Sequence, residues 1–95
     1  MPGDVTDILA EREKTHGSFA DCAKCSQDIL RVLKAGPNWP KLHDVQVEAL
    51  QMIAMKLHRI AWGDPDVADH WLDASGYAKL VADWLEKRGK ISHTT

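Results

Sequence analysis

Within five residues, Gly36-Pro37-Asn38-Trp39-Pro40 brings together one glycine and two prolines. No helix runs through such a stretch, because proline lacks the backbone donor and clashes with the preceding turn. Gly17 and Gly63-Asp64-Pro65 supply two further breaks. The segments between them carry apolar residues at helical spacing, and no alternating strand pattern lasts more than a few residues. The chain therefore reads as all-α: four helices joined by short loops, four-helix bundle-like, in one domain spanning 1–95 with a frayed tail over 90–95.

The first helix is expected to start after Asp4 or Thr6 and to run through Ile8 to Lys14, stopping at Thr15-His16-Gly17, where Gly17 can take the left-handed conformation. Ser18 then caps the second helix, with Asp21 in the acidic position of a capping box. Phe19, Cys22, Ala23, Ser26, Ile29, Leu30 and Leu33 form its packing face, and Asp21, Lys24, Asp28, Arg31 and Lys34 its wet face. Trp39, held between prolines, reads as a plug over the core or as a lid. The third helix is expected from Asp44 to Trp62, with Leu50, Ile53, Leu57 and Ile60 as its main core stripe. A fourth restarts with Pro65 at its first position and ends at Lys87-Arg88-Gly89.

A net charge of −2 argues against general nucleic-acid binding through a basic surface. No apolar run approaches the roughly 20 residues of a membrane span, and Met1-Pro2-Gly3-Asp4 has neither a basic start nor an apolar signal core, so a cytoplasmic protein is expected. Cys22 and Cys25 form one CxxC without a second pair or a histidine at zinc-finger spacing. Small residues packed one turn apart are the simpler reading. At 95 residues the core is modest, and the chain gains from oligomerisation; four tryptophans would suit an aromatic subunit contact.

Chemistry concentrates in the last helix. At about 100° per residue Asp69, Asp73, Gly76, Tyr77 and Leu80 share a face, with Asp66 and Trp84 a turn away on either side. Acids among Tyr, Leu and Trp need a neutralising cation or a wet edge. The third helix offers a matching face in Glu48, Met52, Met55, Arg59 and Trp62, with Lys56 between it and the core stripe. Short loops make the two helices antiparallel neighbours, so Glu48, Lys56 and Arg59 come opposite Asp69 and Asp73. Two chemistries use such an array. In one, Glu48, Asp69 and Asp73 hold Mg²⁺ (or Mn²⁺) while Lys56 and Arg59 bind phosphate oxygens. In the other, the same residues pair as a salt-bridge network that fixes helix packing.

Three stretches in order, Arg12-Glu13-Lys14-Thr15-His16-Gly17-Ser18-Phe19, Met55-Lys56-Leu57-His58-Arg59-Ile60 and Asp69-His70-Trp71-Leu72-Asp73-Ala74-Ser75-Gly76-Tyr77-Ala78, resemble the small phage and prophage domains associated with nucleotide modification. Those domains have a K-x-x-Y/H-G-x-F/W turn, a K-x-x-R helix and a D-x-x-x-D-x-x-x-Y-A helix. They are similar in turn to the MazG-like all-α nucleotide pyrophosphohydrolases. The resemblance implies a helical bundle that assembles into dimers or tetramers, binds Mg²⁺ through helix-borne acids and cleaves a nucleoside triphosphate to the monophosphate and pyrophosphate. Asp73 matches the Asp of the acidic helix, with Asp69 as its companion. Lys56 and Arg59 match the basic helix. Two positions depart: Gln51 follows Glu48 where a second acid is expected, and His70 stands where a Glu precedes the Asp. His16 and Glu13 complete the set if the N-terminal segment folds over the site; His16 otherwise only satisfies helix-end carbonyls.

Three functions fit. The first is a Mg²⁺-dependent nucleoside triphosphate pyrophosphohydrolase-like phage protein with Glu48, Asp69 and Asp73 on metal, Lys56 and Arg59 on phosphate, and His16, Tyr77 or Trp62 at the base. The second is a non-enzymatic accessory protein of the host cytoplasm that sequesters a nucleotide signal or inhibits a host protein. The third is a structural helical oligomer. With Gln51 and His70 in place of acids, nucleotide-phosphate binding is better supported than turnover.

Overall fold

A computed structural model describes residues 5–16 and 18–89, leaving the side chains of 12–16 outside the description. Four helices account for the described chain: α1 over Val5–His16, α2 over Phe19–Lys34, α3 over Asp44–Trp62 and α4 over Ala68–Lys87. The expected stop at Gly17 and the frayed tail at 90–95 lie outside the described residues.

Ser18 caps α2 as its position suggests, its hydroxyl oxygen accepting from the Asp21 N–H at 3.5 Å. On the wet face, Asp28 accepts from Lys24 at 2.8 Å and also pairs with Arg31. The helix closes when the Gly36 N–H donates to Leu33 O at 3.0 Å; a Cβ at Gly36 would stand only 3.1 Å from that carbonyl. Pro37 and Pro40 then force the chain through a short 3-10 turn at Trp39–Lys41, where Trp39 is half-buried.

α3 has a cap that does not belong to the usual Ser/Thr/Asp/Asn set. The His43 ring accepts from the Val45 N–H through Nδ1 at 3.2 Å, while the Gln46 side chain accepts from the His43 N–H at 2.8 Å. The break before α4 also differs from expectation. Asp64 Oδ1 accepts the Asp66 N–H at 2.9 Å, the Val67 N–H donates to Asp64 O at 3.4 Å, and Val67 is extended (φ −80°, ψ 104°), so Pro65 lies in a turn and α4 begins at Ala68. It ends at Lys87, and Gly89, just past the Arg88 cap, has a φ of 71°, the left-handed conformation that favours glycine.

α3 is the hub: α1, α2 and α4 all pack against it. Contact on two nearly opposite sides changes what a single amphipathic stripe would bury. Leu57, one of the four residues expected on the core stripe, is 46% exposed, whereas Ala54 and His58 are 1% and 0% exposed. Leu50, Ile53 and Ile60 are half-buried. Ala54 and His58 lie with Gln51 on the side facing α2, and Ala49 and Lys56 on the side facing α4. From α2, Cys22, Ser26 and Leu30 complete the buried set, the Ser26 hydroxyl donating to Cys22 O at 2.9 Å. Both cysteines are free, and Cys22 serves as the small packing residue the sequence suggests. Phe19 is not a core residue, at 80% exposed.

Candidate functional site

The seam between α3 and α4 holds the expected pairing of opposite charge. Lys56 is 8% exposed, and its Nζ donates to Asp73 Oδ2 at 2.9 Å. A lysine stem can bury its methylenes while its ammonium reaches the edge of the seam. Asp73 supplies that edge, its side chain 52% exposed. The hydrogen bond from Lys56, then the Lys56 charge, hold the Asp73 carboxyl below the ordinary aspartate range. His70 and Arg59 act in the same direction more weakly.

Arg59 lies one turn beyond Lys56 and is half-buried. Its charge is felt by Asp73 on α4, by Cys22 on α2 and by His58 beside it. Among the described residues it stands in no ion pair. Burial pushes the Cys22 thiol up, against the opposing fields of Arg59 and Lys56.

The expected carboxylate triad does not converge within one chain. Lys56 is level with Asp73 in an antiparallel pair, and Glu48 stands about 12 Å farther along α3, in the direction away from Asp69. Glu48 and Asp69 are both exposed, and no group of three metal-ligating side chains exists among the described residues. Asp69 and Asp73 do remain together, one turn apart on α4. Tyr77 is half-buried and borders an open groove of about 480 Å³ with Leu72, Asp73, Gly76 and Lys79. Trp62 belongs elsewhere: it stacks on His58 at 5.0 Å and lines a groove with Asp21 and Cys25 of α2. The side chains of His16 and Glu13 lie outside the described residues.

Two buried histidines escaped the sequence reading as site residues. His70 is 2% exposed beneath Asp73 on α4. His58 is completely buried, and neither ring nitrogen has a hydrogen-bond partner among the described residues. The helical wheel alone held the signal for His58, since it shares the Ala54 side of α3.

The family model for a domain of unknown function, DUF6378, matches residues 5–85. The chain belongs to this family. No curated protein and no solved structure matches it. In this DUF6378 domain the matched region spans all of α1, α2 and α3 and α4 as far as Leu85, and so contains every described residue of the Lys56–Asp73 site. None of the described helices is long and apolar enough to cross a membrane.

Proposed function

We propose that this DUF6378 domain binds a nucleotide through its phosphates at the Lys56–Asp73 seam, in the cytoplasm that supplies such ligands. The observation that carries the reading is Lys56, a nearly buried cation held by one half-exposed carboxylate, with Arg59 a turn away. A phosphate approaching the seam competes with Asp73 for the Lys56 ammonium and gains a second charge-assisted contact from Arg59. Tyr77 lines the groove beside Asp73 and offers an aromatic face to a base or sugar. The resemblance of the K-x-x-R and D-x-x-x-D-x-x-x-Y-A stretches to nucleotide-modification domains supports the same ligand class.

Hydrolysis is the second reading, favoured by Asp69 and Asp73 standing one turn apart on α4. Mg²⁺ takes one or two carboxylates and fills its other positions with water and phosphate oxygens. These two acids fit that role when a triphosphate is bound; Glu48 of the same chain does not. When bound there, the ion would neutralise phosphate charge and lower the pKa of a coordinated water. Lys56 and Arg59 would orient the phosphates.

The test is thermal melting across a panel of ribo- and deoxynucleoside mono-, di- and triphosphates, with and without Mg²⁺ or Mn²⁺, beside a pyrophosphate-release assay. Binding predicts a rise of several degrees for at least one nucleotide, abolished in Lys56→Met and Arg59→Ala. No rise across the panel overturns the binding reading. Pyrophosphate release lost in Asp69→Asn decides for hydrolysis; a melting shift without release decides for sequestration of a nucleotide.

A further inference from the structure

Among the described residues His58 is the largest side chain withdrawn completely from water, and neither Nδ1 nor Nε2 has a hydrogen-bond partner there. A neutral imidazole carries one donor and one acceptor, so a dry pocket that satisfies neither is costly to keep. The Lys56–Asp73 pair makes no use of this ring, which lies on the α2 side of α3.

Trp62 covers it. The two rings stack at 5.0 Å with an interplanar angle of 15°. That cover is loosely held, because Trp62 is the last residue of α3, directly before the Gly63 cap, and is 61% exposed. Beside it lies an open groove of about 410 Å³, lined also by Asp21, Lys24, Cys25, Asp28 and Ile29 of α2. An indole at a helix end that buries so little of itself can leave its place without unfolding the helix behind it.

A proton on His58 changes the balance. The imidazolium has two N–H donors and a full charge, and burial opposes it. Stacking on Trp62 attracts the charge through the ring faces, but the N–H groups point along the ring edges, where no acceptor stands among the described residues. Two charges reach the ring: Asp21 on α2 favours the proton, and Arg59 on its own helix opposes it. No described charge of α1, whose described acids are Asp7 and Glu11, or of α4 bears on it. Of the other ionisable groups on this side, Lys24 and Arg31 pair with Asp28, and burial keeps the Cys22 thiol protonated. Asp21 is left, a carboxylate in no ion pair among the described residues, on the groove beside Trp62.

We infer that His58 and Trp62 form a proton-operated gate on this groove. With His58 neutral, the indole closes over it. A proton taken from water turns the imidazolium toward Asp21 and swings Trp62 aside, joining the His58 pocket to the groove. The gate belongs to the α2–α3 side of the fold and works whether or not a nucleotide occupies the Lys56–Asp73 seam.

Proton NMR on the full chain, titrated downward from pH 7.5, reads both halves of the gate. His58 is expected to titrate below its ordinary 6.5, and the NOE between its ring and that of Trp62 to vanish over the same interval while far-UV circular dichroism holds constant. His58→Leu identifies the imidazole resonances. Trp62→Ala, which removes the cover, moves the His58 midpoint up toward 6.5, and Asp21→Asn moves it down. An NOE that persists after His58 has titrated shows the charge held inside the stack and overturns the proposal. So does a His58 that takes its proton only as the helical signal is lost, or a midpoint that stays in place in either variant.

Discussion

Lys56 and Asp73 meet at 2.9 Å across α3 and α4, yet one side chain is nearly buried and the other half-exposed. The two partners are therefore unequal in what their loss does. Removing Asp73 leaves an ammonium in the seam with no described carboxylate to hold it, whereas removing Lys56 leaves a carboxylate that water can reach.

Asp73→Asn is thus expected to destabilise the fold, and Lys56→Met, which keeps the buried stem and drops the charge, to cost at most about 1 kcal/mol or to stabilise it. Urea denaturation of the two variants at neutral pH ranks them. Equal destabilisation by both would show that the pair contributes attraction rather than a charge that must be held.

The pH dependence of the same pair has a definite sign. The Asp73 carboxyl lies below its ordinary value of 3.8 in the folded chain, chiefly through the Lys56 hydrogen bond. Its contribution is complete above that ordinary value and is lost as pH falls through the folded one, once the carboxyl takes up a proton. Wild-type melting temperature should therefore drop more steeply than that of Lys56→Met below about pH 4. Parallel curves for the two proteins would exclude the pair as the source.

Much of this seam is legible in the sequence, because a short loop between two long helices forces them antiparallel and the wheel then sets Lys56 against Asp73. Periodicity also gives the limits of α3 and the Ser18 cap. It does not say how many sides of a helix find a partner, and for that reason it sets Leu57 inside and gives no buried place to His58. Nor does shared facing guarantee shared height. Glu48 lies on the predicted side of α3 but about 12 Å from the level of Lys56. The onset of α4 shifts because residues 64–67 close a turn, the Val67 N–H donating to Asp64 O at 3.4 Å, and Val67 leaves that turn extended at φ −80° and ψ 104°.

The His43 cap makes a prediction about α3 alone. Two hydrogen bonds close the helix start, one accepted by the imidazole and one by Gln46, and the ring also rests 4.6 Å from Trp84 on α4. His43→Ala should cost about 1–2 kcal/mol, of which the cap supplies about 1. His43→Asn should recover the cap but not the ring contact. Differential scanning calorimetry on both variants separates the two parts; an unchanged melting temperature in His43→Ala would remove the cap from the account.

His58 gives the last prediction. Its ring is fully buried and stacked on Trp62 at an interplanar angle of 15°, with neither nitrogen partnered among the described residues. Burial depresses its affinity for a proton, an effect that the Arg59 charge reinforces and that of Asp21 opposes. The unfolded chain takes the proton near the ordinary 6.5, the folded chain only at lower pH. The contribution of neutral His58 is accordingly whole above pH 6.5 and declines as pH falls toward the folded value. His58→Leu fills much of the same space without a titrating group or orphaned nitrogens, so it should match or exceed wild-type stability at pH 7.5, within about 1 kcal/mol. Between pH 7.5 and 5.5 the wild type should lose more melting temperature than His58→Leu. If both lose equally over that interval, the proton does not go to His58, and the α2–α3 seam is not the part of the fold that mild acid loosens.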